Sequence, residues 1–210
     1  MKQIFIHGSG HKGNSWDETV KCMQEKGNIL YPDLSSILNK KEASYQNLYS
    51  SFVGYCNNID GKVDLCGISL GGILALNYAL DFPNKVNSLV LIGTPHKVPK
   101  IMFSIQNVVF RFLPKSIFEN MAFNKKDTFI LGNTMKKLDF SNRVRYIKCP
   151  TLIICGEKDS ANIKSAYYLS ENIKDSKLEI IKNTGHIVNE ENPKELARIL
   201  NEYYKGVQKI

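Results

Sequence analysis

The sequence predicts an α/β fold: a parallel sheet of about six strands flanked by helices, with a helical cap inserted after the fourth strand. Three observations carry this. Short apolar runs rich in β-branched residues alternate with helical stretches, the pattern of βαβ units. Each run is closed by Gly, Pro, Asn or Asp. The alternation breaks once, between Lys97 and Lys148, where no clear strand occurs.

Strands are expected at Gln3–Ile6, Asn28–Tyr31, Lys62–Cys66, Val86–Ile92, Thr151–Cys155 and Leu178–Ile181. Their largely continuous apolar character suits a sheet covered on both faces. Helices are expected at about Ser15–Glu25, Tyr45–Asn57, Leu70–Asp81, Ile163–Asn172 and Pro193–Lys205. Inside the break, Ile101, Ile105, Val108, Val109 and Phe112 recur at helical spacing, while Met102, Phe103 and Phe110 form a second apolar face. A helix apolar on two sides packs on both, as a lid over a pocket does. Pro99 and Pro114 bracket it, and further helices are expected around Ser116–Phe123 and Asp127–Leu138. With no repeat, low-complexity tract or linker, residues 1–210 read as one domain, with core 1–96 and 149–210 and cap 97–148.

At 210 residues, 43% hydrophobic and 23% charged, the chain has the size and composition of one globular domain. Met1-Lys2-Gln3-Ile4-Phe5-Ile6 runs into His7-Gly8 before a signal-peptide core could form. No apolar run reaches the roughly 18 residues of a membrane span, so a soluble, cytoplasmic protein is expected. Cys22, Cys56, Cys66, Cys149 and Cys155 form no CxxC pair or metal-finger spacing and read as reduced thiols. The net charge of +8 has no basic run interleaved with aromatics, so nucleic acid is not an expected partner. The charge is uneven: residues 97–148 hold 11 basic and three acidic side chains, and the remainder 17 of each. That lid is either a solvated lysine-rich face or a device favouring substrates with an acidic group.

Gly67-Ile68-Ser69-Leu70-Gly71 matches G-x-S-x-G, with the strand Val63-Asp64-Leu65-Cys66 before it and a helix after it. Strand–turn–helix projects a serine hydroxyl from a tight turn and points free helix N–H groups at the reaction centre. A glycine-rich βα turn without catalytic role fits the bare pattern; the flanking elements favour the nucleophile. His7-Gly8-Ser9-Gly10 ends the first strand, where an acyl-transfer enzyme needs a second backbone donor for its oxyanion. The expected donors are the N–H groups of Ser9 and Leu70, with Gly10 the alternative to Ser9. Gly8-x-Gly10-x-x-Gly13 also has dinucleotide spacing, but the only acidic residue near the end of the next strand is Asp33, in Tyr31-Pro32-Asp33-Leu34. Ser9-Gly10-His11-Lys12 spells S-x-x-K without its partner motifs.

His186, in Thr184-Gly185-His186 after the last strand, is the expected base, behind Ser69 and Asp159 in chain order. Asp159 closes Cys155-Gly156-Glu157-Lys158-Asp159, where a carboxylate can accept the imidazole N–H. Glu157 is its rival by proximity; Asp33 and Asp64 read as structural. Gly10, Phe103 and Phe110 are candidate pocket residues.

Together these motifs resemble the α/β-hydrolase superfamily, with serine, acid and histidine in that order. The resemblance spans nearly the whole chain, adding Trp16, Gly72, Cys149-Pro150-Thr151-Leu152-Ile153-Ile154 and Glu191-Asn192-Pro193. It implies an α/β-hydrolase fold with Ser69, Asp159 and His186 as triad. It also implies hydrolysis of an ester or thioester of a small, partly apolar substrate through an acyl-enzyme, with no metal or organic cofactor. A lyase-like or carbon–carbon-cleaving relative, and a non-catalytic binding protein on the same scaffold, are the alternatives. Family members usually carry two more strands before the oxyanion strand, which here begins at Lys2. The expected sheet is therefore reduced, ordered 4-3-5-6-7-8 in the family's scheme, with Ser69 at the topological switch point. The missing edge leaves room for a homodimer partner.

Overall fold

The computed structural model describes residues 1–24, 26, 28–98 and 121–207. Phe103, Phe110, the two-faced helix between Pro99 and Pro114, and residues 116–120 of the next expected helix lie outside the described residues.

Six strands form one parallel sheet: β1 (Lys2–Ile6), β2 (Ile29–Leu30), β3 (Val63–Ile68), β4 (Val86–Ile92), β5 (Thr151–Gly156) and β6 (Ser176–Ile181). Their order is β2-β1-β3-β4-β5-β6, the order expected. The helices are α1 (Asp17–Cys22), α2 (Leu34–Leu38), α3 (Tyr45–Asn57), α4 (Leu70–Asp81), α5 (Lys125–Met135), α6 (Ile163–Asn172), α7 (Val188–Glu191) and α8 (Pro193–Val207).

The side-chain period of two explains why the strands read as unbroken apolar runs. Ile4, Ile6, Val63, Leu65, Leu89, Leu91 and Ile153 enter one core, which α2, α3, α4 and α6 cover. The intervening Phe5, Cys66, Ile68, Val90, Ile92, Leu152 and Ile154 enter a second core with Trp16 and α8. Trp16 is fully buried and meets Phe5 edge-on, ring centroids 5.0 Å apart. In α8, Leu196, Ala197, Leu200 and Tyr204 face the sheet while Arg198 pairs with Glu195 and Glu202 on the solvent side.

Local differences from expectation have local causes. Asn28–Tyr31 yields only the two-residue β2 at the sheet edge, a length that offers little backbone for edge pairing. The expected Ser15–Glu25 helix opens as a 3₁₀ turn (Gly13–Trp16) and ends at Cys22. Helix α2 was not expected; Asp33 caps it, its Oδ1 accepting the Ser35 N–H at 3.0 Å. Residues 121–123 of the expected Ser116–Phe123 helix are not helical. All five cysteines are free, and burial pushes the Cys56 and Cys155 thiols up to about 12. No helix among the described residues is long and apolar enough to cross a membrane.

The sheet and α4 meet so closely that position 71 has no room for a side chain. A Cβ there would lie 2.1 Å from the Ile6 carbonyl oxygen. Gly71→Ala is expected to destabilise by about 3 kcal/mol and lower Tm by roughly 6–12 °C, as thermal unfolding will show.

Candidate active site

Ser69 connects β3 to α4 with φ 54° and ψ −114°, a backbone state that costs a non-glycine residue about 1–3 kcal/mol. The surroundings impose it. The Ser69 N–H donates to the Ile92 carbonyl at 2.9 Å, and a Cβ at Gly67 would lie 2.3 Å from the Gly71 backbone. Leu70 is the first residue of α4, so its N–H has no intrahelical acceptor. A Cβ on Gly8 would sit 3.5 Å from the Ser69 Cβ, so the loop after β1 runs directly beside the serine.

Ser69, Leu70, Ser9, Gly10, Asp159 and His186 all line one cavity of about 430 Å³. Distant segments meet there because β1, β3 and β5 run parallel, so the loops after them share one edge of the sheet, beside the loop that follows β6. Ile68, Ile73, Met121, Leu131 and Met135 supply an apolar wall, the last two from α5. Helix α5, from the segment between β4 and β5, thus forms part of the cavity wall. No lysine or arginine among the described residues lines it. Within that segment, Lys97 pairs with Asp139 at 2.8 Å and Arg143 with Asp81 at 2.6 Å.

His186 Nδ1 lies 2.7 Å from Asp159 Oδ2. A carboxylate only accepts, so Nδ1 carries the proton and Nε2 keeps its lone pair. Asp159 is only 4% exposed, and a buried charge needs several donors. It has them: the His186 ring, the Asn162 N–H at 3.3 Å, and Asn162 Nδ2 at 3.0 Å from both oxygens. Burial pushes the Asp159 carboxyl up, but the bond and charge of His186 and the Asn162 donors outweigh it and hold the group below its usual value. Gly93, at φ 50°, leaves space for the pair; a Cβ there would lie 3.0 Å from His186 Nδ1 and 3.1 Å from Asp159 Oδ2. The arrangement can withdraw a proton through Nε2 while the carboxylate stabilises the charge that develops on the ring.

A model of the alpha/beta hydrolase family matches residues 3–199. The chain belongs to that family. Among curated relatives of this alpha/beta hydrolase is the monoacylglycerol lipase ABHD6 of Mus musculus, 23% identical over 97% of this chain and 75% of that protein. The pimeloyl-[acyl-carrier protein] methyl ester esterase of Nitrosomonas europaea is 25% identical over 43% of this chain and 36% of its own length. Among solved structures, MenH from S. aureus superposes with a TM-score of 0.82 at 19% identity, over 99% of this chain and 94% of that one.

Several of this hydrolase's polar residues hold the site's frame. Asp64 accepts from Ser88 at 2.6 Å and Asn87 at 2.7 Å, deep in the sheet. Glu157 accepts the Asn183 N–H at 2.9 Å. Two residues had no assigned part in the sequence reading. Asn162 donates to both oxygens of Asp159 beside the His186 ring, and Glu191 accepts the N–H groups of Gly185 at 2.6 Å and Ile187 at 3.0 Å, clamping the loop on both sides of His186. The only hint was Glu191 itself, an acidic residue soon after the histidine.

His7, directly after β1, is fully buried and ties β1 to α2. Its Nε2 accepts the Leu34 N–H at 2.9 Å, so Nδ1 is the protonated nitrogen and donates to the Gly8 carbonyl at 2.7 Å. Burial lowers its pKa from the ordinary value, against the opposing Gly8 bond and Asp33 charge. A depressed folded-state pKa means that this contribution is complete above the unfolded value of about 6.5 and is lost as pH falls below it. Tm is therefore expected to drop as pH falls from about 7.5 to 5. His7→Gln, whose Oε1 can still accept from Leu34, should show a shallower drop; an unchanged slope would count against this assignment.

Proposed function

We propose that the chain is a serine hydrolase acting on a carboxylic ester or thioester of a small, at least partly apolar substrate through an acyl-enzyme. The observation that carries this reading is the Asp159–His186 hydrogen bond of 2.7 Å in the cavity that Ser69 lines from its strained turn. In the proposed reaction Ser69 Oγ attacks the carbonyl carbon while His186 Nε2 takes the hydroxyl proton. The oxyanion of the tetrahedral intermediate is held by the N–H groups of Leu70 and Ser9. Collapse expels the alcohol or thiol, which receives the proton from His186. Water then attacks the acyl-enzyme by the same route, with His186 again base and then acid, and the acid leaves.

The substrate class follows from the wall. Ile73, Leu131 and Met135 suit an acyl chain lying in the cavity of about 430 Å³. The relatives named lipase and methyl ester esterase act on esters, which supports the bond type. Among the described residues no lysine or arginine reaches the cavity, so the proposal carries no preference for acidic substrates.

Fluorophosphonate labelling and a panel of p-nitrophenyl esters and acyl thioesters of increasing length test the reading. The wild type is expected to label at Ser69 and to hydrolyse esters with a maximum at intermediate chain length. Ser69→Ala should abolish labelling and lower kcat by roughly 10⁴-fold or more. Labelling without hydrolysis of any ester or thioester, combined with cleavage of a β-diketone, would favour carbon–carbon chemistry. No labelling at all would indicate a binding protein.

A further inference from the structure

We infer that Asn162 is a positioning residue, fixing the orientation of the Asp159 carboxylate against the His186 ring. The inference rests on the acyl-enzyme reading above. Asn162 occupies the N-cap of α6, with φ −116° and ψ −9°. Asparagine is among the preferred residues there because its side-chain oxygen accepts a free helix N–H. In this chain it makes no such bond. Its side chain turns to the acid instead, Nδ2 standing 3.0 Å from each Asp159 oxygen and 3.2 Å from His186 Nδ1.

The chemistry of the partners fixes the hydrogens. Asp159 is an acceptor, so the amide nitrogen and not the amide oxygen faces it. His186 Nδ1 is itself a donor to Asp159 Oδ2, so Asn162 Nδ2 and the ring do not bond to each other. Both aim N–H groups at the same carboxylate. Asp159, gripped through both oxygens by Nδ2 and through Oδ1 by the Asn162 N–H, cannot rotate away from the ring.

Other titratable groups around the site have partners or neighbours of their own. His11 lines the same cavity and pairs with Glu190 at 3.5 Å. Glu191 is engaged by loop amides, and the Cys155 thiol lies 4.0 Å from Asp159 Oδ2. Among the described residues, Asn162 and Asp159 are the side chains within hydrogen-bond distance of His186 Nδ1.

The test is kcat and KM, measured separately for p-nitrophenyl butyrate, with the full chain, its Asn162→Ala and Asn162→Asp variants, and Ser69→Ala alongside. Asn162→Asp keeps the shape but replaces the donor with a second carboxylate; Asn162→Ala removes the donor alone. Both should lower kcat by roughly tenfold or more with KM near the wild-type value. A residue that only packs would leave kcat in place in any variant that folds. Melting curves identify a variant that fails to fold, and Asn162→Ala then carries the comparison. An unchanged kcat with intact Ser69 dependence overturns the role of Asn162 alone. Hydrolysis that persists in Ser69→Ala overturns the acyl-enzyme reading itself.

Discussion

The turn at Ser69 is a backbone conformation that this chain can hold only because neighbouring positions carry no side chains. Gly67 and Gly71 face each other across it at a distance no Cβ would tolerate, and Gly71 lies against the Ile6 carbonyl. That closeness lets α4 start directly on the end of β3 and leaves the Leu70 N–H free at its first position. The same closeness brings the loop after β1 against the serine, so Ser9 and Gly10 line the cavity. A looser turn would separate these three segments. Sheet, strain and donor placement are therefore one structural fact.

The second constraint is the buried charge of Asp159. A carboxylate at 4% exposure, left unpaired, would take up a proton and stop holding the ring. Its neighbours prevent this with three donor groups from two residues, and the ring itself is the closest. Glu191 does for the His186 loop what Asn162 does for the acid, binding two backbone amides that flank the histidine. Gly93 completes the arrangement by leaving empty the volume that a side chain would take from the pair.

Much of this was legible in the sequence because it rests on strong local signals. The central strands of a sheet covered on both faces are apolar at most positions, and the expected Val86–Ile92 and Leu70–Asp81 coincide with the observed limits. The sheet order followed from strand–helix alternation once the family resemblance supplied the scheme. What escaped notice has no periodic signature. Helix α2 is five residues long and rests on a single cap, so Asp33 read only as structural. Asn162 stands where an asparagine ordinarily caps a helix, and no sequence pattern tells that its amide goes to a carboxylate three residues earlier. Position also outweighed total charge: the basic residues between β4 and β5 make the chain cationic, yet the described ones stay off the cavity wall.

The central claim is that Ser69 carries the acyl group between two half-reactions. Rapid mixing of the enzyme with p-nitrophenyl acetate, followed by acid quench and peptide mass analysis, addresses it directly. The account predicts a burst of p-nitrophenol approaching one equivalent per chain and a peptide acetylated at Ser69. Steady release from the first turnover, with acetylation absent or on another residue, would contradict it.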